Sequence, residues 1–204
     1  MTPDYWDEAT RELSKRDPVL RKLIRKCRRP AWVSRGDAFQ TLARSIVGQQ
    51  ISVKAAASIW ARFATLAGKV SPANVVALEA AQLRACGFSG QKCAYVSDLA
   101  HRFHRGEVKP RRWARMADEA VIEELVQVKG IGRWTVEMFL MFHLKRPDVL
   151  PVDDLGLRRA MERAYNGGAP LSKAEMREIG DRWAPWRSVG TWYMWRSLEN
   201  VPMA

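Results

Sequence analysis

The chain has 204 residues, 47% of them hydrophobic and 9% aromatic with nine Trp, which suits one globular domain or two small packed ones. No apolar run approaches the roughly 18 residues that a membrane-spanning helix needs, which argues against such a helix. Lys and Arg number 34 against 22 Asp and Glu, and the net charge of +12 favours a polyanionic partner, above all nucleic acid; a solvated basic surface and an anionic membrane are the alternatives.

Helix start signals recur along the chain. Asp17-Pro18 is an N-cap followed by proline at the first helical position, and Asp37 with Gln40 resembles a capping box. Further helix starts are expected at Ser52, Ser71, Asp118 and Ser172, with Gly68 as a C-cap. No alternating strand pattern is bounded by hairpin turns. The sequence therefore predicts an all-α protein with about ten short helices.

A glycine turn stands between two of these predicted helices, in LVQVKGIGRWTVEMF. The turn consists of Lys129, Gly130, Ile131 and Gly132, and the arrangement is typical of a helix-hairpin-helix. Glycines let the backbone approach a phosphate, and the N–H groups and dipole at the start of the second helix attract an anion. Lys129 and Arg133 flank the turn as positive charges. An ordinary turn between helices with glycine caps is the alternative.

Two aspartates begin a later helix, in LPVDDLGLRRAMERAY. Asp154 lies 24 residues after Gly130. Aspartate at a helix N-cap is common, but two in succession leave one for another task. We expect Asp153 to cap the helix and Asp154 to face a cleft, where the helix dipole and nearby N–H groups hold it in the ionised form.

The glycine turn and the VDD segment together resemble the helix-hairpin-helix base-excision DNA glycosylase superfamily. Two further stretches resemble its DNA-3-methyladenine glycosylase II branch, ARSIVGQQISVKAA at 43–56 and RWAPWRSVGTWYMW at 182–195. The similarity runs from about Phe39 to Trp195. It implies an all-α fold of two packed helical subdomains with a helix-hairpin-helix and an active-site cleft between them. We expect one subdomain at 38–133 and the other at 1–37 with 134–204.

The resemblance implies hydrolysis of the N-glycosidic bond of an alkylated purine, 3-methyladenine or 7-methylguanine, flipped out of duplex DNA. A base alkylated at N3 or N7 is already a cationic leaving group, so the enzyme must stabilise positive charge on the sugar and admit a water. An ionised Asp154 suits this catalytic role. Asp153 and Arg187 are implied as supporting residues. Trp134 stands where bifunctional members carry a nucleophilic Lys, so lyase activity is not expected.

The base pocket implied by the resemblance is aromatic, because a cationic purine stacks well on electron-rich rings. Trp134 and Trp195 fall at family pocket positions, although either could be a core residue in a chain with nine Trp. Met138 and Leu155 stand where some members carry Tyr. The pocket is therefore expected to be less aromatic than in those relatives.

Two loops are expected to contact DNA besides the hairpin. VGQQIS is the candidate wedge that fills the vacated base stack, with Gln50 at its tip and Gln49 and Ile51 beside it. A helix–helix turn with surface glutamines is the alternative. A second Gly-x-x-Gly-basic turn, expected to lie against the DNA backbone, consists of Gly87, Gly90 and Lys92.

No catalytic cofactor is expected. Family hairpins often hold Na⁺ or K⁺ through main-chain carbonyls, here those of Val126, Val128 and Ile131. Three scattered cysteines cannot form a four-cysteine zinc or iron–sulfur site, which separates the chain from the iron–sulfur branch. The acidic, amphipathic N-terminus is unlike a secretory signal. We expect a cytoplasmic monomer on double-stranded DNA, nucleoid-associated in a bacterium.

Two other functions are compatible with the same residues. The first is a catalytically silent protein that binds or bends damaged DNA with the hairpin and the wedge. The second is a glycosylase for another base, such as uracil or hypoxanthine. Release of a free methylated base from DNA distinguishes these functions from the alkylpurine activity.

Overall fold

A computed structural model describes residues 2–27 and 36–199, and these residues form helices and connecting turns without a β-strand. The all-α prediction is therefore confirmed. The described residues contain thirteen helices, more than the number expected, because α6 and α8 have only six and four residues and leave no periodic pattern. The helices are α1 (Trp6–Arg16), α2 (Pro18–Lys26), α3 (Ala38–Gly48), α4 (Val53–Ala67), α5 (Pro72–Val76), α6 (Ala80–Ala85), α7 (Gly90–His104), α8 (Pro110–Trp113), α9 (Asp118–Leu125), α10 (Arg133–Phe142), α11 (Leu155–Tyr165), α12 (Lys173–Asp181) and α13 (Arg187–Leu198).

The predicted helix starts are confirmed, with one correction. Ser52, Ser71 and Ser172 each accept a hydrogen bond from a backbone N–H in the first turn of α4, α5 and α12. Asp37 likewise accepts from the Gln40 N–H at 2.9 Å. The Gln40 amide, however, donates to the Val70 carbonyl at 3.2 Å. Asp37 therefore caps α3 without the reciprocal bond of a capping box.

The described residues fall into two compact units, one drawn from Met1–Val33 and Leu140–Ala204 and the other from Ser34–Phe139. In the first unit α13 is central, since it packs against α1, α2, α11 and α12. In the second unit α7 is central, since it packs against α3, α5 and α6. The subdomain boundaries expected from the sequence stay a prediction.

The core of each unit is built from large apolar side chains. Leu13, Met161, Trp183 and Met194 are fully buried in the first unit, and burial of such side chains is the main favourable contribution to folding. The buried apolar residues of the second unit include Phe39, Leu42, Ile46, Phe63, Leu83, Val96, Leu99, Val121 and Leu125. No helix among the described residues has the length and apolar character needed to cross a bilayer.

A buried carboxylate fixes the start of α2 within the first unit. Asp17 accepts the Val19 and Leu20 N–H groups at 2.8 and 2.9 Å, as expected for an N-cap. Its other oxygen accepts from the Tyr165 hydroxyl at 2.8 Å and the Trp183 indole N–H at 3.2 Å. Burial, with Asp17 alongside, raises the pKa of Tyr165. These four bonds make Asp17 a structural residue.

Candidate functional site

Asp154 is the N-cap of α11. Its Oδ1 accepts the Leu157 backbone N–H at 2.6 Å and the Trp195 indole N–H at 2.7 Å. This reverses the expectation that Asp153 caps the helix, because α11 begins at Leu155 and its third residue is the one that reaches the cap. Hydrogen bonds to a carboxylate are about twice as strong as neutral ones, so two such bonds hold the Asp154 side chain in one orientation.

Asp153 points to a different partner. Its carboxylate forms an ion pair with the Lys173 ammonium at the start of α12. Both aspartates border a surface depression of about 330 Å³, which is lined by Val152, Asp153, Asp154, Leu155, Arg158, Leu171, Ser172 and Lys173. Asp154 is only partly buried there. A carboxylate fixed at the edge of an open depression can stabilise positive charge on a ligand.

Gly156 is a residue of this site that the sequence reasoning missed. A Cβ at Gly156 would lie 3.1 Å from the Asp154 Oδ1 and 3.3 Å from the Trp195 Cδ1. Such contacts are tighter than ordinary van der Waals packing, so the glycine makes room for the indole beside the carboxylate. Its position directly after the VDDL segment was the available signal.

The Trp195 ring is also fixed by stacking. It lies 6.0 Å from the Phe142 ring, centroid to centroid, with 20° between the planes. Phe142 is 41% exposed and was not among the predicted pocket residues. Leu155, which was predicted, is 48% exposed in the same unit. Asp154, Trp195 and Phe142 therefore form a connected group through one hydrogen bond and one stacked contact.

Arg187 acts on the segment that leads to the aspartates. Its guanidinium makes two hydrogen bonds to Asp148, at 2.7 and 2.8 Å. The next residue, Ser188, is buried, donates to the Arg146 carbonyl at 2.7 Å and accepts the Val149 N–H at 3.0 Å. The side chains of Arg187 and Ser188, at the start of α13, thus hold residues 146–149 in place by hydrogen bonds. The support of Asp154 by Arg187 that the sequence suggested stays a prediction.

The hairpin turn lies in the second unit, and its two glycines differ. Gly130 has φ +77°, and a Cβ there would collide with the Tyr95 ring. Gly132 has open space where a Cβ would be, and its carbonyl accepts the Val136 N–H at 3.2 Å in the first turn of α10. Gly130 is therefore required by backbone conformation and packing. Gly132 leaves the start of α10 open to a ligand.

The two basic residues that flank the hairpin differ in their contacts. The Arg133 guanidinium donates twice to Glu119, both at 2.7 Å, and its Nε donates to Glu137 at 3.2 Å. The hydrogen bonds to Glu119 raise the pKa of Arg133, and the bond from Arg133 lowers the pKa of Glu119. The Lys129 backbone N–H donates to Asp98 at 2.9 Å, while its side chain is exposed. A phosphate at Arg133 has to compete with Glu119.

The three predicted wedge residues are in different environments. Gln50 is exposed and has φ +57°, a left-handed conformation that is uncommon for residues other than glycine. Gln49 turns inward, and its amide donates to the Gly130 carbonyl at 2.8 Å. Ile51 is 37% exposed. Gln50 is therefore the member of the loop that protrudes in a constrained conformation.

The second glycine turn leads into α7. Gly87 has φ +98°, and a Cβ there would lie 2.8 Å from the Arg62 guanidinium. Gly90, the first residue of α7, has open space around it. Lys92 donates from Nζ to the carbonyls of Val47 and Gln49. The DNA contacts expected of this turn stay a prediction, and the Lys92 ammonium is directed at protein atoms.

The remaining predicted residues lie on or near α10. Trp134 is 46% exposed and Met138, one turn later, is partly buried. In the turn before them the Val128 carbonyl accepts the Ile131 N–H at 3.1 Å and keeps a second lone pair. Carbonyl oxygens suit a hard cation, and the cation contacts expected of Val126, Val128 and Ile131 stay a prediction. The part of the chain that the structure describes has no cluster of His, Cys, Asp and Glu suited to a metal ion.

Comparisons with known proteins point to one family of DNA repair proteins. Residues 43–185 match the family model described as "HhH-GPD superfamily base excision DNA repair protein". The chain is 32% identical to DNA-3-methyladenine glycosylase 1 of Schizosaccharomyces pombe over 184 residues, 88% of this chain and 81% of that protein. It is also similar to a crystal structure of a DNA-3-methyladenine glycosidase from Bacillus halodurans, with a TM-score of 0.88 at 32% identity, covering 94% of this chain and 89% of that one. The S. pombe 3-methyladenine DNA glycosylase in complex with abasic DNA gives a TM-score of 0.80 at 32% identity, covering 93% and 96%.

Proposed function

The chain belongs to the HhH-GPD superfamily of base excision DNA repair proteins, and on this premise we propose that it is a monofunctional DNA glycosylase. It hydrolyses the N-glycosidic bond of alkylated purines, 3-methyladenine and 7-methylguanine, in duplex DNA. The names of its relatives support the substrate class. The observation that carries the proposal is the Asp154 carboxylate, which two N–H donors hold at the edge of an open depression.

The chemistry follows from the state of the damaged base. A purine alkylated at N3 or N7 leaves readily, so the main barrier is the positive charge that develops on the deoxyribose. Asp154 stabilises this charge electrostatically and orients the water that attacks the sugar carbon. The Trp195 N–H and the Leu157 N–H keep the carboxylate in place during the reaction. Because the carboxylate is already oriented, little reorganisation is needed when the charge develops.

The absence of lyase activity is part of the same proposal. Strand cleavage by this superfamily's bifunctional members uses a lysine amine as nucleophile. By the resemblance to that superfamily, Trp134 stands at the matching position, and its side chain has no amine. The expected products are therefore the free base and an intact strand with an abasic site.

DNA is held, in this proposal, by backbone contacts more than by side-chain charge. The open start of α10 at Gly132 offers N–H groups to a phosphate. A Na⁺ or K⁺ ion bound by the carbonyls of Val126, Val128 and Ile131 would add positive charge near that phosphate. We propose a monomer that acts on chromosomal DNA in the cytoplasm.

Asp154→Asn tests the catalytic role. Asparagine is an equally good N-cap, so the fold and the affinity for abasic-site DNA are expected to stay close to those of the wild type. Release of 3-methyladenine from methylated DNA is expected to fall by about 100-fold or more, because a neutral amide does not stabilise the cationic sugar. Chromatography of the released bases and anisotropy with an abasic duplex measure the two quantities.

Asp153→Asn is the matched control. It removes one carboxylate from the same depression and should leave base release within about threefold of the wild type. Normal turnover by Asp154→Asn would refute the assignment. A wild type that binds abasic DNA but releases no base would favour the silent damage-binding protein. Release of uracil or hypoxanthine in place of methylated purines would identify the other glycosylase class.

A further inference from the structure

The Lys92 ammonium caps the C-terminal end of α3. Its Nζ donates to the Val47 carbonyl at 2.8 Å and to the Gln49 carbonyl at 2.7 Å. Helix α3 ends at Gly48, and the carbonyls of a last helical turn have no partner within the helix. A cation there also interacts favourably with the negative end of the helix dipole. Lys92 therefore stabilises the point at which the chain leaves α3.

The lysine is itself held in place. Its backbone N–H donates at 3.3 Å to the hydroxyl of Ser89, the N-cap of α7. The side chain is partly buried, and this burial lowers the pKa of Lys92. Two of its three N–H donors bind carbonyls inside the protein. Lys92 therefore differs from a solvated surface lysine, whose ammonium has no protein partner and can bind a phosphate.

Gln50, which follows this capped helix end, has a strained backbone conformation. Gln50 has φ +57°, which costs about 1–2 kcal/mol for a residue with a side chain. Such a conformation persists only when the surrounding structure enforces it. The residue before it, Gln49, is fixed at both its carbonyl, by Lys92, and its side-chain amide, by the Gly130 carbonyl. The exposed Gln50 side chain is thus presented from a rigid base.

The same bonds connect the wedge loop to the hairpin. Gln49 reaches Gly130 over 81 residues of sequence, and Tyr95 of α7 packs against the same glycine. Gln49, Gln50, Lys92, Tyr95 and Gly130 border one small depression of about 190 Å³. The distance between the wedge and the turn proposed to bind phosphate is therefore fixed before DNA arrives.

We propose that Lys92 is a positioning residue for base flipping. Through the carbonyls of Val47 and Gln49 it holds Gln50 in the conformation in which that side chain enters the base stack. This inference rests on the proposed function, and it replaces the contact between Lys92 and the DNA backbone predicted from the sequence. Gln49 has a related role, because its hydrogen bond to Gly130 holds the wedge loop at a fixed distance from the hairpin.

Lys92→Met is the first test, because methionine keeps the apolar stem and removes the ammonium. The probe is a duplex with a tetrahydrofuran abasic site opposite 2-aminopurine, whose fluorescence rises when the wedge unstacks it. We expect wild-type protein to raise the fluorescence and Lys92→Met to lose most of the rise. Base release in a single turnover should fall by about 10- to 100-fold, the usual cost of a misplaced group.

The salt dependence of binding separates positioning from a phosphate contact. Loss of one phosphate contact lowers the slope of log K against log salt concentration by about 0.9. Lys92→Met is expected to leave this slope unchanged. Lys69→Met, which removes one charge from an exposed lysine, controls for the change in net charge. A slope that falls by about 0.9 with a normal fluorescence rise would overturn the proposal.

A double-mutant cycle with Gln50→Ala tests the route of the effect. If Lys92 acts through Gln50, Lys92→Met adds nothing to base release once Gln50 is alanine. Additive losses would contradict the proposal. Gln49→Met is a second variant, which removes the hydrogen bond to the Gly130 carbonyl and keeps the Lys92 ammonium. If Lys92→Met fails to fold, the 2-aminopurine fluorescence with Gln49→Met tests whether the base of the wedge loop positions Gln50; a normal rise would contradict the proposal.

The readouts also distinguish this inference from the proposed function. Wild-type protein that unstacks 2-aminopurine without releasing a methylated base would contradict the glycosylase assignment and leave the positioning role in place. Wild-type protein that releases the base while leaving 2-aminopurine fluorescence unchanged would overturn the positioning role alone.

Discussion

The two central helices support functional segments in opposite ways. From α13, the Trp195 indole N–H reaches Asp154, the proposed catalytic group itself. From α7, the Lys92 ammonium reaches backbone carbonyls, and the residue it presents is Gln50. In the aspartate region the donor acts directly on the group that is proposed to meet the substrate. In the hairpin region the Lys92 cation binds protein carbonyls, so its positive charge alone does not indicate a phosphate contact.

The largest expected effect concerns the two glycines of the hairpin. Gly130→Ala places a Cβ into the Tyr95 ring at a left-handed φ, and should lower the free energy of unfolding by about 3 kcal/mol or more. Gly132→Ala has open space and should cost less than about 1 kcal/mol. Urea denaturation measures both. Equal destabilisation of the two variants would contradict the distinction.

The Gly132 variant also sharpens the role of the hairpin in binding. If this glycine serves the approach of a phosphate, Gly132→Ala loses affinity for abasic DNA while its unfolding stays close to that of the wild type. Anisotropy titrations measure the affinity. Unchanged affinity and stability together would mean that neither ligand nor fold requires a glycine at this position.

Trp195→Phe tests the aspartate region. Phenylalanine keeps a ring to stack on Phe142 and removes the N–H that binds Asp154. A hydrogen bond to a charged group is worth about 1.5–3 kcal/mol, so single-turnover base release should fall by about 10- to 100-fold. Trp192→Phe in the same helix is the control, because that indole packs on Trp6 and Tyr193. Equal rates for the wild type and Trp195→Phe would refute the role of the indole.

Arg187→Met tests whether Arg187 acts through Asp148. Loss of the guanidinium leaves a partly buried carboxylate without its main partner and should cost about 1–3 kcal/mol of stability. Base release by the folded variant should fall only a few-fold, since Asp154 keeps its own donors. Asp148→Asn is expected to lower stability and base release by similar amounts. The double mutant should show no further loss of either quantity. A rate loss as large as that of Asp154→Asn, at normal stability, would instead support direct action on Asp154.

The smallest expected effect is that of Arg133→Gln on DNA binding. Because Glu119 and Glu137 engage the guanidinium, the slope of log K against log salt should change by less than about 0.9. Glu119→Gln removes the competing carboxylate and should strengthen binding if Arg133 can then turn to a phosphate. Binding isotherms at several salt concentrations measure both variants. If the slope of log K against log salt falls by about 0.9 in Arg133→Gln, Arg133 contacts a phosphate in the complex, and DNA has displaced Glu119 from the guanidinium.

Sequence reasoning succeeded where the interacting groups are close in the chain. Asp17 and Ser52 each cap an N–H two or three residues away, so composition and spacing were sufficient. The capping role was expected of Asp153 but belongs to Asp154, because the start of α11 was expected one residue too early. A one-residue error in a helix start changes which side chain is the cap.

The partners of the functional residues lie far away in sequence and could not be predicted. Trp195 is 41 residues from Asp154, and Lys92 is 43 and 45 residues from the carbonyls it binds. Only tertiary packing decides whether a Trp or a Lys faces solvent, core or another loop. Arg133 and Lys92 were assigned to DNA from their charge and their place at glycine-containing turns, and neither signal indicates the protein atoms that they bind.

The absent side chain at Gly156 has a consequence for comparing sequences. Glycine and tryptophan there are a matched pair, since the indole occupies the space that a Cβ would need. Natural sequences that keep the indole at position 195 should keep glycine at 156, and those with a larger residue at 156 should change both positions together. This linked variation is a criterion for recognising relatives that share the indole–carboxylate arrangement and those that position the aspartate by another residue.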